Sequence, residues 1–453
     1  MNLPNYFLAD LPSDATLSPA LLREACQTLK YNRERYLADR STRSLVDLLD
    51  GLAEDWLKEN FPFRAMALEQ GPAATGFSAA TLAAGLDSFF KQLTKENLHS
   101  LLEQDLGHVD RLDELCATTP EREGSRSSKA VGPEFLFHIT AGGLPSPALS
   151  SIILGLLVRS AQFVKCASGA SLVPRLFAHS LYETEPKLGA CLELAEWPGG
   201  SAQLEEVLFA EADCVTATGT DETLAAIRLR VPPKTKFLGY GHRVSFAFIS
   251  SKALSARAAH KQVERAVADV VAWDQLGCLS PHVIYVENGG HLSPVEFALA
   301  MSKELAQREL REPRGRISVE VAATIASRRS FYEIRAIESS TQLFCSPGST
   351  AWTVIYEEDP RFQLSCLHRF IYVKGVKDLN EALQSADSVR GLVSTVGLAA
   401  ADDEAPDLAR ELADWGVPRI CPVGQMQNPP LTWRHDGRPS LGDLVRWTDW
   451  ERE

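Results

Sequence analysis

Several recognisable functional signatures are missing from this 453-residue chain. No C-x-x-C pair and no H-E-x-x-H motif occurs, so the sequence offers no recognisable metal site. No dense Lys/Arg cluster occurs either, and 46 Lys and Arg against 59 Asp and Glu leave a net charge of −13. Binding a phosphate backbone needs a basic face, which excludes a nucleic-acid carrier, whereas a small anionic ligand needs only a local pocket. The most apolar stretch, Leu149 to Val158, is about half of the ~20 residues a membrane span requires. Met1 to Ala15 contains Asp10 and Asp14 and has no basic segment ahead of an apolar one, so it does not read as a secretory signal. Internal repeats and low-complexity tracts are absent. The expectation is a cytoplasmic protein with no membrane span and no nucleic-acid partner.

What is present is ordinary globular composition, 45% hydrophobic and 23% charged, at a length that predicts two or three packed units. The nine cysteines are Cys26, Cys116, Cys166, Cys191, Cys214, Cys278, Cys345, Cys366 and Cys421. An odd, scattered set makes a poor disulfide framework and fits a reducing compartment. Residues 18 to about 115 show the three-to-four spacing of amphipathic helices, as in Leu45, Leu48, Leu49, Leu52 and Trp56. Thr118 to Ser128 reads as a polar loop and a first boundary. From residue 133 short β-branched or aromatic runs alternate with helical segments: Phe163–Lys165, Cys214–Thr218, Ser245–Ile249, Val283–Val286, Trp352–Tyr356, Phe370–Val373 and Leu392–Val396. That alternation predicts parallel α/β layers. The tail, Asn428 to Glu453, is rich in Pro, Trp and Arg and reads as an extended arm.

One junction stands out. Ser146-Pro147 is a strong helix start, with Ser as N-cap and Pro at the first helical position. The preceding Ala141-Gly142-Gly143-Leu144-Pro145 allows close backbone approach of a ligand beside that helix N-terminus, or simply a tight strand-to-helix turn.

Trp273-Asp274-Gln275-Leu276-Gly277-Cys278-Leu279-Ser280-Pro281 places a Cys after a Gln-x-Gly turn and ahead of the apolar run His282-Val283-Ile284-Tyr285-Val286. Read alone, any one of nine cysteines is more often a small core residue than a nucleophile. This segment, however, resembles the nucleophile segment of the aldehyde dehydrogenase superfamily. Three others follow in the superfamily's order. Phe163-Val164-Lys165 resembles the strand whose Lys contacts the adenosine ribose of the nicotinamide cofactor. Val215-Thr216-Ala217-Thr218-Gly219-Thr220 resembles the turn opening the helix near the pyrophosphate, and Phe237-Leu238-Gly239-Tyr240-Gly241-His242 the segment linking the two domains. Within the superfamily the chain is most similar to the LuxC-type fatty acyl-CoA reductases, through Phe137-His138-Ile139-Thr140-Ala141-Gly142, Gly241–Phe246, Ala272–Pro281 and Trp433-Arg434-His435-Asp436-Gly437.

The resemblance implies an α/β fold of aldehyde dehydrogenase type: a helical N-terminal lead with a Rossmann-type NADP-binding domain over 1–238, an α/β catalytic domain over 239–427, and a C-terminal arm over 428–453 that serves oligomerisation or packs on its own subunit. It further implies NADPH-dependent reduction of an acyl thioester, acyl-CoA or acyl-protein, to an aldehyde. Cys278 as thiolate would attack the acyl carbonyl, and hydride would convert the acyl-enzyme to a thiohemiacetal that collapses to aldehyde. His242 is the nearest proton-donor candidate; His282 is expected to begin a strand and point elsewhere, and His138 to pack or hydrogen-bond. Phe237 stands where aldehyde oxidisers place a Glu that activates water, and no Glu lies in Thr235 to Ser250, so hydrolysis of the acyl-enzyme should be slow. Lys165 and Ser168 are assigned to the adenosine ribose, with Ser168 where NAD-preferring relatives carry a Glu, which favours a 2′-phosphate and NADPH. Thr218, Gly219 and Thr220 are assigned to the pyrophosphate, and Gly142 and Gly143 to the oxyanion region. LuxC-type sequences tend to carry Asn at the Gly143 position, and loss of such a donor costs ~3 kcal/mol of transition-state stabilisation. Expected partners are the thioester donor, a second copy of the chain and an acyl-protein synthetase. The alternatives are a CoA-acylating aldehyde dehydrogenase, a Cys acyltransferase without hydride chemistry, and an acyl-binding scaffold with weak catalysis.

Overall fold

The computed structural model describes residues 3–12 and 15–453, so Asp14 of the start considered above lies outside the described residues. The chain forms two compact units: one from Met1–Thr75, Leu86–Gly241 and Pro430–Glu453, the other from Gly76–Gly85 and His242–Pro429.

The first unit begins with helices Pro19–Tyr36, Thr42–Leu57 and Pro62–Thr75, and later Lys95–Leu106. Local chemistry sets their ends: the Ser18 hydroxyl accepts from Leu21 N with Pro19 just inside, and Thr94 does the same for Asn97. Gly107, at φ 77°, closes the last helix in the left-handed conformation that glycine adopts without penalty. The apolar faces bury Leu45, Leu49, Leu52 and Trp56, and the Trp56 indole stacks on Phe90 at 4.9 Å and donates to Ser180 Oγ at 3.0 Å. These side chains share one core with helices Ser146–Leu157 and Leu172–Thr184, so the helical lead is a layer of this unit.

Strands β1 (Arg126–Val131), β2 (Phe135–Ile139), β3 (Ala161–Cys166), β4 (Leu192–Glu196), β5 (Cys214–Thr218) and β6 (Lys236–Tyr240) follow. The last five form a wholly parallel sheet in the order β4-β3-β2-β5-β6. The connections run outward from β2 to β4, then return to β5 on its other side, so the strand order reverses between β2 and β5; open parallel sheets bind ligands beyond the carboxyl ends of their strands near such a reversal. Inside the sheet His138 is fully ringed. Gln162 Nε2 donates to Ile152 O, which turns its Oε1 toward His138 Nε2 at 3.1 Å, while Thr216 Oγ1 lies 2.7 Å from Nδ1. Burial pushes this imidazole down to about 4.

The second unit holds β7 (Val244–Ile249), β8 (Pro281–Glu287), β9 (Gln342–Cys345), β10 (Thr353–Glu357), β11 (Phe370–Val376), β12 (Val393–Ala399) and β13 (Ile420–Pro422). They form one sheet in the order β13-β12-β7-β8-β11-β10-β9, parallel apart from the antiparallel edge pair β9–β10. Every strand expected from 163 to 396 is found. The register of β7 against β8 slips between Ser245↔Pro281 and Phe246↔Val283, so His282 is bulged.

Two local expectations differ, and the tail takes the second of the two arrangements considered for it, packing on its own subunit. The helix after the glycine turn starts at Ser146 with Pro145 at its cap, and no side chain caps it: Pro145 already has helical φ/ψ and its carbonyl accepts from Leu149 N. Thr118–Ser128 contains the short helix Thr119–Glu123 and the start of β1, and no unit boundary falls there because the lead shares the sheet's core. Finally, the tail forms no separate body. Its strand β14 (Arg446–Glu451) pairs antiparallel with β1, and Leu441, Leu444 and Val445 join the first unit's core.

Candidate active site

In the first unit the sequence-predicted residues gather at the carboxyl edge of the parallel sheet. Lys165, second to last in β3, is 95% buried and makes no side-chain hydrogen bond or ion pair among the described residues. Burial is the main influence on its amine and pulls its pKa down, opposed by the nearby carboxylates of Glu205 and Glu196. The turn Ala167–Ala170 follows, with Ser168 exposed and Gly169 at φ 76°. The loop after β2 lies against this turn: a Cβ on Gly142 would stand 3.3 Å from that of Ala167. Gly143 is exposed at φ 131° with open space where a side chain would go. Gly142, Gly143, Lys165 and Ser168 thus share one rim.

Thr218, Gly219 and Thr220 end β5 two strands away and are differently occupied. Gly219 N donates to Tyr240 O, and Thr220 Oγ1 accepts from Thr223 N as the N-cap of helix Asp221–Arg230. That amide and that hydroxyl are therefore engaged by the protein, and Asp221 and Glu222 stand in the first helical turn. Phe237 lies within β6, its ring 5.6 Å from the Arg228 guanidinium carbon.

In the second unit Cys278 is the only exposed cysteine of the nine. Its turn is held from several directions. Trp273, Asp274 and Gln275 all have left-handed φ (52°, 51° and 65°), as do Leu367, His368 and Arg369 (58°, 56° and 66°). Non-glycine residues pay roughly 1–2 kcal/mol each for this conformation, and side chains joining the two segments hold it. The Gln275 amide closes a ring with the Phe370 backbone, donating to Phe370 O at 2.9 Å and accepting from Phe370 N at 2.8 Å, and also donates to Pro281 O. Arg369, wholly buried, donates to Asp274 Oδ1 at 2.9 Å and to Glu309 Oε2 at 2.9 Å. Downstream, Ser245 Oγ donates to Cys278 O at 2.7 Å. Gly277 leaves no room for a side chain, since its Cβ would meet Gln427 at 2.3 Å, and Gln427 Nε2 donates to Ser280 Oγ.

The strap Val423–Gln427 that covers Gly277 is itself fixed by two buried charges. Arg419 donates to the carbonyls of Met426 and Gln425, and Asp269 accepts from the amides of Gly424 and Met426. Cys278 is among the groups whose charge acts on the Arg419 guanidinium, alongside Cys421 and Asp269. Burial raises the Asp269 carboxyl to about 7. His242 is exposed just before β7. His282 accepts from Ser365 N at Nδ1, which leaves its proton on Nε2, and burial together with the His242 charge holds it down at about 4. Sequence reasoning missed Arg369, Arg419, Gln427 and Glu196. The first three meet the turn from 95 or more positions away in sequence, as the Arg369–Asp274 bond shows, and nothing local announces them. Gln275 was visible as part of the motif, but not as the residue that closes it.

The sequence profile described as acyl-CoA reductase (LuxC) matches residues 37–447. A long-chain acyl-protein thioester reductase of Aliivibrio fischeri is 24% identical over 422 residues, covering 90% of this chain and 82% of that protein. Among solved structures, an NAD-dependent benzaldehyde dehydrogenase from Corynebacterium glutamicum superposes with a TM-score of 0.70 at 14% identity, covering 96% of this chain and 91% of that one. A bifunctional proline utilization A protein gives 0.70 at 15% identity, over 97% of this chain, which spans 45% of that larger protein. The fold is that of the aldehyde dehydrogenases. Among the described residues no helix is long and apolar enough to cross a membrane.

Proposed function

The chain belongs to the acyl-CoA reductase (LuxC) family, and from that premise we propose that it reduces a long-chain acyl thioester to an aldehyde through an acyl group carried on Cys278. One observation bears most of the weight: of nine cysteines, the exposed one sits on a turn braced by the buried Gln275 and Arg369.

The Cys278 thiolate attacks the acyl carbonyl carbon; a C–S bond to the enzyme forms as the bond to the donor's sulfur breaks, and the donor thiolate leaves carrying the electron pair. The buried Arg419 guanidinium, bonded to the strap that covers Gly277, supplies positive charge beside the Cys278 turn, as reactive cysteines require. The brace formed by Gln275 and Arg369 fixes the attack direction, since a near-attack geometry is worth several kcal/mol of barrier. His242, exposed ahead of β7, is the group we assign to proton transfer at the departing donor or the nascent aldehyde. Donors named for relatives are acyl-protein thioesters, and acyl-CoA presents the same reacting bond.

The first unit fits a nicotinamide dinucleotide. A buried lysine that makes no ion pair among the described residues, at a strand's carboxyl end and beside a glycine rim, suits an anion. Lys165 and Ser168 would hold the adenosine ribose and Gly142 and Gly143 line the rim, with NADPH favoured by the hydroxyl at Ser168. When bound, the nucleotide supplies the hydride that the acyl carbon accepts.

The test uses long-chain acyl-CoA and mass spectrometry. A mass increment on the Cys278 peptide that disappears on adding NADPH, with aldehyde released, is the expected result, and Cys278→Ala should give neither. An adduct that NADPH leaves intact points to acyl transfer alone. No adduct with any long-chain thioester overturns the covalent reading.

A further inference from the structure

The rim around Lys165 contains a carboxylate that neither the motifs nor the family resemblance points to. Glu196 is the last residue of β4, directly beside Cys166 in the parallel register that also sets Ala195 beside Lys165. Its Oε1 accepts from Gly169 N at 2.7 Å, so the side chain reaches across the strand end onto the turn that carries Ser168. The carboxylate makes no ion pair among the described residues, although its charge is felt at Lys165. The other carboxylate near Lys165, Glu205, is already neutralised by Arg230 at 2.5 Å. The remaining cation of the neighbourhood, Arg175, is turned to Ala9 O and Asp10. The local balance is therefore one buried cation, Lys165, and one uncompensated anion, Glu196.

Resting on the nucleotide reading above, we propose that Glu196 is the residue that discriminates between a ribose 2′-hydroxyl and a 2′-phosphate at this rim. A carboxylate tethered to the Gly169 amide has acceptor capacity left for a sugar hydroxyl, which donates to it. The same carboxylate repels a phosphate dianion drawn to Lys165. Ser168, which replaces the usual acid of the turn, removes one repulsion, while Glu196 supplies another from the neighbouring strand. Cofactor preference is then a contest between Lys165 and Glu196, in which the uncharged Ser168 hydroxyl adds no repulsion of its own.

Binding rather than turnover provides the test. Calorimetric titration of the whole protein with 2′,5′-ADP and with 5′-AMP compares a 2′-phosphate with a 2′-hydroxyl without any hydride step. Glu196→Gln keeps an oxygen acceptor for Gly169 N and removes only the charge, so the affinity ratio of 2′,5′-ADP to 5′-AMP should rise about tenfold. Glu196→Ala, which also frees the turn, should raise the same ratio while weakening both ligands. If both variants leave the ratio unchanged, Glu196 is a loop tether and the inference is overturned. If wild-type protein binds neither fragment and no intact nicotinamide dinucleotide, the nucleotide reading itself has failed, a different outcome from an unchanged ratio.

Discussion

The turn bearing Cys278 and the turn bearing Ser168 both adjoin buried strands of largely parallel sheets, yet they are held in opposite ways. Around Cys278 side chains do the holding: Gln275, Arg369, Ser245 and Gln427 each bond to a particular backbone or side-chain atom, and two left-handed segments are fixed against each other. Around Ser168 the backbone does it, with glycines at positive φ, exposed residues and the single Glu196 tether. A nucleophile must meet one carbon along one direction, so rotational freedom in its turn is lost rate. The ligand proposed for the Ser168 rim is large and must enter and leave, and glycine-rich backbone suits that.

This contrast can be broken most severely at Arg369. Arg369→Met leaves Asp274 buried without its partner, and removing one member of a buried ion pair costs about 3–5 kcal/mol. Denaturant unfolding should show that loss, and alkylation of Cys278 should slow in the same variant under native conditions. Undiminished alkylation at a normal rate means that the brace does not position the sulfur.

Gly143→Asn probes the other turn. The site has room for the side chain, but φ 131° is a backbone state that L residues rarely adopt. The substitution should therefore cost about 1–3 kcal/mol of stability, even though it restores the amide donor found in LuxC-type sequences. Faster reduction alongside a lower melting temperature is the expected pair of results. Gain without cost would mean that the loop relaxes freely, sharpening the picture of a backbone-held rim.

The smallest effect, per pH unit, is acid sensitivity, which both units share. His138 and His282 are held neutral with values of about 4, below the 6.5 of a free imidazole. Between those values the unfolded chain binds more protons than the folded one, so stability is fully present above about pH 6.5 and falls as pH drops toward 4. The slope contributed by each histidine is at most about 1.4 kcal/mol per pH unit. The buried Asp269 carboxyl, held at about 7, acts in the opposite direction over the same range, so the check is made on the rings themselves. A His138 or His282 imidazole that titrates near 6.5 by NMR would contradict the burial assigned to it.

Periodicity made the strands from Phe163 to Val396 legible, because buried parallel strands are short apolar runs between helical segments. The Cys278 turn was legible as well, since Gln275, Gly277 and Cys278 lie within four residues of one another. The missed residues share a physical cause. Arg369 and Arg419 act on the turn from distant strand ends, and Glu196 from the strand next to Lys165. Which charged residue faces a given turn depends on strand order, and strand order is not written in local sequence. Ser146 misled for the complementary reason: Pro145 is itself compatible with helical φ, so the helix begins at the expected cap, one residue early.

The pairing of β14 with β1 sets the order in which the molecule can be completed. Leu441 N donates to Asp105 across 336 positions and Gln104 Nε2 to Thr432 O across 328, so the whole of His242–Pro429 lies inside a loop that these contacts close. During synthesis the earlier part of the first unit must wait, with the places of Leu441 and Leu444 unfilled, until the second unit has left the ribosome. Closing so long a flexible loop is entropically demanding, though the cost grows only by about 0.6 kcal/mol per doubling. A second unit that folds first shortens the effective span, and its own stability thereby becomes part of the folding rate of the first unit.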